Sequence, residues 1–338
     1  MPAEWARHEA TWLAWPHDPV TFADLEAVER VFARMAAALA EGERVELLVK
    51  DAATRRRAVA ALREAGALEV KGARGVRIRI LRTADSWIRD YGPTFLVRRK
   101  GRGPKRAFVR WRFNAWGRKY ATLLRDDGIP DRLRLDMPRF APGIVMEGGS
   151  IEVDGAGSVL VTEQCLLNAN RNPRLDRAAI EAKLRAYLGV RQVLWLGEGI
   201  AGDDTDGHVD DLARFVGPRT VVTAYETDRA DENFAPLDDA WRRLRKMTDA
   251  SGRALTVVKL PMPGRLMDGK RRLPASYANF YVGNRVVLLP VYGPARRDAA
   301  AIRVLRRAFP SRTVLPIDCR PVVYGYGSIH CVTQQQPT

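Results

Sequence analysis

The segment Gly327-Ser328-Ile329-His330-Cys331-Val332-Thr333-Gln334-Gln335 places a thiol beside an imidazole close to the end of the chain. A second segment, Gly202-Asp203-Asp204-Thr205-Asp206-Gly207-His208-Val209-Asp210, combines an imidazole with several carboxylates. Further acids stand out at Asp90, within Asp85-Ser86-Trp87-Ile88-Arg89-Asp90, and at Glu147, within Glu147-Gly148-Gly149-Ser150. These residue types suit one kind of target. A guanidinium is planar and permanently cationic, and carboxylates meet its fixed fork of donors bidentately. Asp90 and Asp210 are therefore candidates to clamp it and orient its carbon. That carbon is a poor electrophile, and a thiolate is the one common side-chain nucleophile strong enough to attack it at neutral pH, a role open to Cys331. The bound cation would itself stabilise the thiolate. His208 could protonate departing ammonia and then activate water, with Glu147 orienting His208 and favouring its charged form. This chemistry requires no metal and no cofactor.

Read as strand residues, His208 and Asp210 face the same side, whereas His330 and Cys331 face opposite sides. On that reading His208 serves Cys331 from across the molecule, and His330 is a structural hydrogen-bonder.

The elements that must position these groups follow an α/β pattern. Apolar strands over Glu9–Trp15, Val45–Val49 and Val76–Leu81 alternate with helices over Leu25–Leu39 and Ala53–Ala65. Thereafter one grammar recurs: a polar site, a short strand, often a tight glycine turn, then an apolar strand. It is read at Thr94–Val97, at Ile151–Val153 with Ser158–Val161, at the strand ending in Val216 with Thr220–Thr223, at Tyr277–Val282 with Val286–Leu289, and at the C-terminal segment. Helical segments Arg174–Leu188, Leu237–Ala250 and Ala295–Ala308 fall between copies. Asp90, Glu147, Asp210, Asn279 and Cys331 anchor the copies at steps of 57, 63, 69 and 52 residues. A near-regular period of degenerate units predicts radial repetition, with one polar group per unit delivered to a shared axis. The expectation is a single domain over residues 1–338, built of five ββαβ-type repeats, with Cys331 on the strand that closes the ring.

Other function classes fit less well. Gly197-Glu198-Gly199-Ile200-Ala201-Gly202 matches a dinucleotide fingerprint, but Asp203, Asp204 and Asp206 follow it and would repel phosphate. Asp204-Thr205-Asp206-Gly207 resembles a calcium loop whose first and twelfth positions, Gly202 and Ala213, cannot ligate. Only four histidines are present, with no paired-ligand spacing, so a metal-dependent ureohydrolase is the weaker alternative. The net charge of +16 is spread as arginine over helix-like segments, which reads as solvated faces rather than a nucleic-acid site. Three widely spaced cysteines argue against a disulfide framework and for a reducing cytoplasm, with Cys165 and Cys319 read as core residues. No apolar run is long enough to span a membrane, and the N-terminus lacks the pattern of a signal peptide.

The motifs together resemble the agmatine deiminase family, which is related to the bacterial peptidyl-arginine deiminases. The likeness rests on Asp85–Pro93, Trp111-Arg-Phe-Asn-Ala-Trp-Gly117, Glu147–Ile151, Thr162–Pro173, Gly202–Asp210, Leu273–Tyr281 and Gly327–Gln335, with Pro2-Ala-Glu-Trp5 at the start. The resemblance implies a five-bladed α/β propeller (the pentein fold) and hydrolysis of agmatine to N-carbamoylputrescine and ammonia. It makes Cys331 the nucleophile, His208 the general acid and base, and Asp90 and Asp210 the guanidinium ligands. Glu147 supports His208, Trp87 lines the substrate channel, Asn279 lies near the site, and Asp204 is a further substrate contact. The expected partner is a small guanidino compound, with neither nucleic acid nor membrane, and assembly as a homo-oligomer stays open. Free or peptidyl arginine remains the alternative substrate. Two departures bear on that choice: Tyr324–Ser328 replaces the usual Gly-Gly-Gly-Asn, and Asp211 stands where Asn is common. Arg110, Arg112 and Arg118 are candidates to read a substrate carboxylate, though the surface reading of them is preferred.

Overall fold

The computed structural model describes residues 1–70, 74–98 and 100–338. Strands β1 (His8–Ala14), β2 (Arg44–Val49) and β3 (Gly75–Ile80) form a parallel set. The next three sheets are β4 (Thr94–Val97), β5 (Arg106–Val109) and β6 (Arg139–Phe140); β7 (Glu152–Val153), β8 (Ser158–Thr162) and β9 (Gln192–Leu196); and β10 (Ala213–Gly217), β11 (Thr220–Tyr225) and β12 (Thr256–Pro261). A small hairpin, β13 (Met267–Asp268) and β14 (Arg271–Arg272), precedes the sheet β15 (Tyr281–Val282), β16 (Val286–Val291) and β17 (Thr313–Asp318). The last strand, β18 (Thr333–Pro337), pairs antiparallel with β1, so the two ends of the chain complete one sheet between them. Each of the five larger sheets is an antiparallel pair extended on one side by parallel pairing, with two parallel strands in the first sheet and one in each of the others. Among the described residues these are separate sheets, and none closes on itself.

The helices begin where the sequence provides caps. Asp24, Asp51 and Asp176 accept the amide protons of Ala27, Thr54 and Ala179, opening Leu25–Ala40, Ala52–Glu64 and Arg177–Leu188. Ala295–Ala308 is helical throughout, as expected. The helix expected over Leu237–Ala250 instead spans Phe234–Leu244. Its end tightens into turns, the amides of Lys246 and Met247 donating to the carbonyls of Arg243 and Leu244. Beyond it the Asp249 carboxylate accepts from the amides of Ser251 and Arg253 in a further turn. Residues 197–207, which come straight after β9, form loop and turn rather than a helix, consistent with rejecting the dinucleotide motif. Several surface arginines, among them Arg30, Arg185, Arg242 and Arg243, pair with acids one helical turn away. Among the described residues no helix is long and apolar enough to cross a membrane.

Candidate active site

Asp90 sits in the short helix Ile88–Tyr91, just before β4. Its Oδ1 accepts from the Gly149 amide at 2.9 Å, and its Oδ2 from the Trp116 indole at 2.8 Å. Gly149 is the meeting point of three units. A Cβ there would lie 2.6 Å from His208 Nδ1, 2.9 Å from Asp90 Oδ1 and 3.0 Å from Asp210 Oδ2. Any larger residue would occupy the space on which these groups converge, so glycine is required for close approach rather than for backbone freedom.

His208 and Asp210 do not lie on a strand. His208 leads into the 3-10 turn Val209–Asp211. The Asp203 carboxylate shapes this loop by accepting from the amides of Thr205, Gly207 and His208. The turn still delivers both side chains to one place: His208 Nδ1 is 3.8 Å from Asp90, and Asp210 Oδ2 is 3.9 Å from the Cys331 sulfur. Cys331 also departs from expectation. It occupies a turn immediately before β18 rather than the strand itself. Asn279 fixes that turn: its amide nitrogen donates to the sulfur at 3.2 Å and to Asp211 at 3.0 Å, and its side-chain oxygen accepts from the His330 amide at 2.9 Å. Both ring nitrogens of His330 are engaged by acids: Nδ1 is 2.7 Å from Asp210 Oδ2, the oxygen that also faces the thiol, and Nε2 is 2.8 Å from Glu4. The expectation that His330 is a structural hydrogen-bonder therefore agrees with the geometry, although the strand argument for it does not.

Glu147 Oε1 accepts from Arg171 at 2.7 Å, while its Oε2 is buried without a hydrogen-bond partner, as is Asp210 Oδ1. His208 Nε2 is likewise unpaired. Leaving such atoms unpaired costs about 1–3 kcal/mol each, so three in one cluster mark a site built for something other than stability. The donor atoms of Glu147, Cys165 and His208 lie within 4.8 Å of one another, as do those of Asp210, Asp211 and Cys331, and these are the sets able to hold a metal ion. Arg171 sets a fixed positive charge beside the first of them. Cys165 is buried as expected of a core residue, yet its thiol faces His208.

The electrostatics follow from burial and crowding. Burial and the neighbouring carboxylates push the Cys331 thiol well above its ordinary range. Burial pushes Asp90 up to about 6; the charge of His208 opposes this, and Asp210 and Glu147 add to it. Burial disfavours charge on His208, but Asp90, Cys165 and Asp210 outweigh it and hold the imidazole well above the usual value. Burial likewise opposes ionisation of Asp210, and the His330 hydrogen bond and charge prevail, lowering it. Asp211 is driven the other way, well up, by burial and by Asp210 and Asp203. Its Oδ1 accepts from the Asn279 amide at 3.0 Å, which opposes that rise.

A cavity of about 270 Å³ leads to this cluster. Asp90 and Cys331 are among its lining residues, with Trp87, Trp116, Asp204, Arg271 and the Tyr324–Gly327 segment. The Trp87 ring packs against Gly325 and Gly327, where a Cβ on either would strike it. The glycines of the unusual Tyr324–Ser328 lead-in thus seat the channel tryptophan. Arg110 pairs with Asp127 and Asp131, and none of Arg110, Arg112 and Arg118 lines the cavity. Beneath the site lies a buried ionic layer that the sequence reading did not single out. Glu4 meets Arg214 at 2.8 Å and Arg89 at 3.4 Å, and Arg214 also meets Glu152 at 2.9 Å. Glu4, Trp116 and Arg171 all fall inside motifs that carried the resemblance, but side-chain type alone gave them no partner.

The α/β fold is shared with known guanidino-modifying enzymes. A dimethylarginine dimethylaminohydrolase covers 97% of this chain and 99% of its own, with a TM-score of 0.50 and 12% identity. An agmatine deiminase of Enterococcus faecalis superposes with a TM-score of 0.90 at 33% identity, covering 100% of this chain and 95% of that one. The agmatine deiminase of Stutzerimonas stutzeri (strain A1501) is 40% identical over 377 residues, 100% of this chain and 95% of the relative. Residues 1–337 match the Porphyromonas-type peptidyl-arginine deiminase family, and the chain belongs to it.

Proposed function

We propose that this protein hydrolyses the guanidino group of agmatine to give N-carbamoylputrescine and ammonia. The convergence of Asp90, His208 and Asp210 on Gly149, with the Cys331 thiol 3.9 Å from Asp210, carries the reading. The full-length likeness to agmatine deiminases supports the substrate.

Several carboxylates face a thiol held protonated by burial and by their charge. A guanidinium cation entering between Asp90 and Asp210 offsets that charge and lowers the cost of ionising the thiol, whose proton leaves to solvent through the cavity. Cys331 Sγ then bonds to the guanidino carbon. The His208 imidazolium gives a proton to the leaving nitrogen, and the C–N bond breaks to release ammonia and leave an S-linked thiouronium. Neutral His208 next takes a proton from water, whose oxygen bonds to the same carbon, and collapse breaks the C–S bond, the hydroxyl proton passing to the sulfur to restore the thiol as the ureido product forms. Glu147 makes no hydrogen bond to His208; it bonds Arg171 instead and places a further carboxylate within 4.8 Å of the imidazole, while Asn279 stabilises the sulfur through its amide. Trp87 flanks the substrate chain, and Asp204 faces its distal end. The net charge of +16 does not oppose capture, because the cavity itself is lined by Asp18, Asp85, Asp90 and Asp204.

We further infer that the five sheets stand as blades of one α/β propeller over residues 1–338, each delivering one polar group to this site. Three free buried cysteines support a reducing, cytoplasmic setting.

The test is a product assay on agmatine with and without chelator. Ammonia and a ureido product, unaffected by chelation, are expected. Urea among the products, or activity lost to chelator and restored by manganese, would favour a ureohydrolase instead.

A further inference from the structure

Among the described residues lining the cavity, Arg271 is the lone lysine or arginine. It sits on β14, with its side chain half exposed and a guanidinium nitrogen 3.5 Å from Asp204 Oδ1. Its guanidinium carbon lies 3.7 Å from the centroid of the Tyr326 ring, within reach of cation–π attraction. The Tyr120 hydroxyl donates to the other Asp204 oxygen. Asp204 is therefore engaged on both oxygens before any substrate arrives. The Tyr326 backbone is left-handed, at φ 67°, a conformation a non-glycine residue rarely adopts. Asp90 and Cys331 line the same cavity.

We propose that Arg271 determines specificity at the distal end of the substrate, resting on the deimination reading above. It occupies the carboxylate that a plain ammonium end would use, and it offers a partner to a carboxylate borne on the same end. A cationic tail must compete with Arg271 for Asp204. A zwitterionic tail, as in a free α-amino acid, finds its ammonium partner in Asp204 and its carboxylate partner in Arg271. The residue thus narrows the preference for agmatine over arginine.

The experiment compares kcat/KM for agmatine, arginine and n-butylguanidine in the wild type, Arg271→Gln and Arg271→Lys. Butylguanidine has no distal charge, so its change is the baseline for the other two. Half-exposed ion pairs of this kind are screened, so each charged substrate should move about three- to fivefold, mainly in KM. Agmatine improves and arginine worsens in Arg271→Gln, shifting their ratio about tenfold or more, while Arg271→Lys stays near the wild-type ratio. An unchanged ratio, a shift toward arginine, or a lysine variant that behaves like glutamine overturns the assignment. Wild-type protein that deiminates none of the three would instead overturn the activity itself.

Discussion

His330 Nδ1 lies 2.7 Å from Asp210 Oδ2, with both side chains buried. The other imidazole nitrogen is 2.8 Å from Glu4, itself held by Arg214. The histidine beside the thiol is thus a bridge from the ionic layer to an acid of the site. His330→Ala should leave buried carboxylates unpaired and cost about 3 kcal/mol of stability. It should also remove the charge that keeps Asp210 low, moving the acid limb of kcat/KM to higher pH. Thermal denaturation and a pH–rate profile read the two effects separately. A loss of stability with an unmoved acid limb would reduce His330 to a packing role.

Asp90 sets a second pH dependence. It is pushed up to about 6, and only its ionised form attracts a cation. KM for a cationic substrate should therefore fall as pH rises through about 6. Trp116→Phe removes the 2.8 Å hydrogen bond that favours the carboxylate, so the transition should move further up and KM near neutrality should rise a few-fold. An acid limb that stays in place in this variant would detach it from Asp90.

Much of this was legible in the sequence, for identifiable reasons. Thr94–Val97 and Val286–Leu289 are apolar runs bounded by glycine, proline or asparagine, and they appear as β4 and within β16. The parallel strands β12 and β17 were not read. Each is paired on one side only and mixes exposed with buried residues, which blurs the apolar signal. The convergence of Asp90, His208 and Asp210 followed from residue type and spacing, but the local geometry did not. Alternation suggested strands at His208 and at Cys331, whereas Asp203 and Asn279 wrap both into turns through side-chain hydrogen bonds that no periodicity encodes. The Glu4–Arg214–Glu152 layer was illegible for another reason: its members are separated by up to 210 positions and meet only when the chain ends pair.

Asp126 gives a prediction about stability. Its buried carboxyl accepts from the amides of Ala84 and Asp85, yet burial pushes it up to about 7. The folded value lies above that of the unfolded chain, so the native state holds the extra proton between about pH 4 and 7. The associated stabilisation is complete below about pH 4 and is lost as pH rises through 7. Melting temperatures at pH 5.5 and 8.5 should therefore differ less in Asp126→Asn than in the wild type. An equal difference in both would place that slope on other groups.

The central claim is a covalent bond between Cys331 and the substrate carbon. Its most direct test is the intact mass of protein mixed with agmatine and quenched in acid during turnover. The account predicts a species heavier by agmatine less ammonia, mapped to Cys331 and absent from Cys331→Ala, while Cys319→Ser forms it normally. Turnover by Cys331→Ala, or an adduct on Cys165 instead, would contradict it.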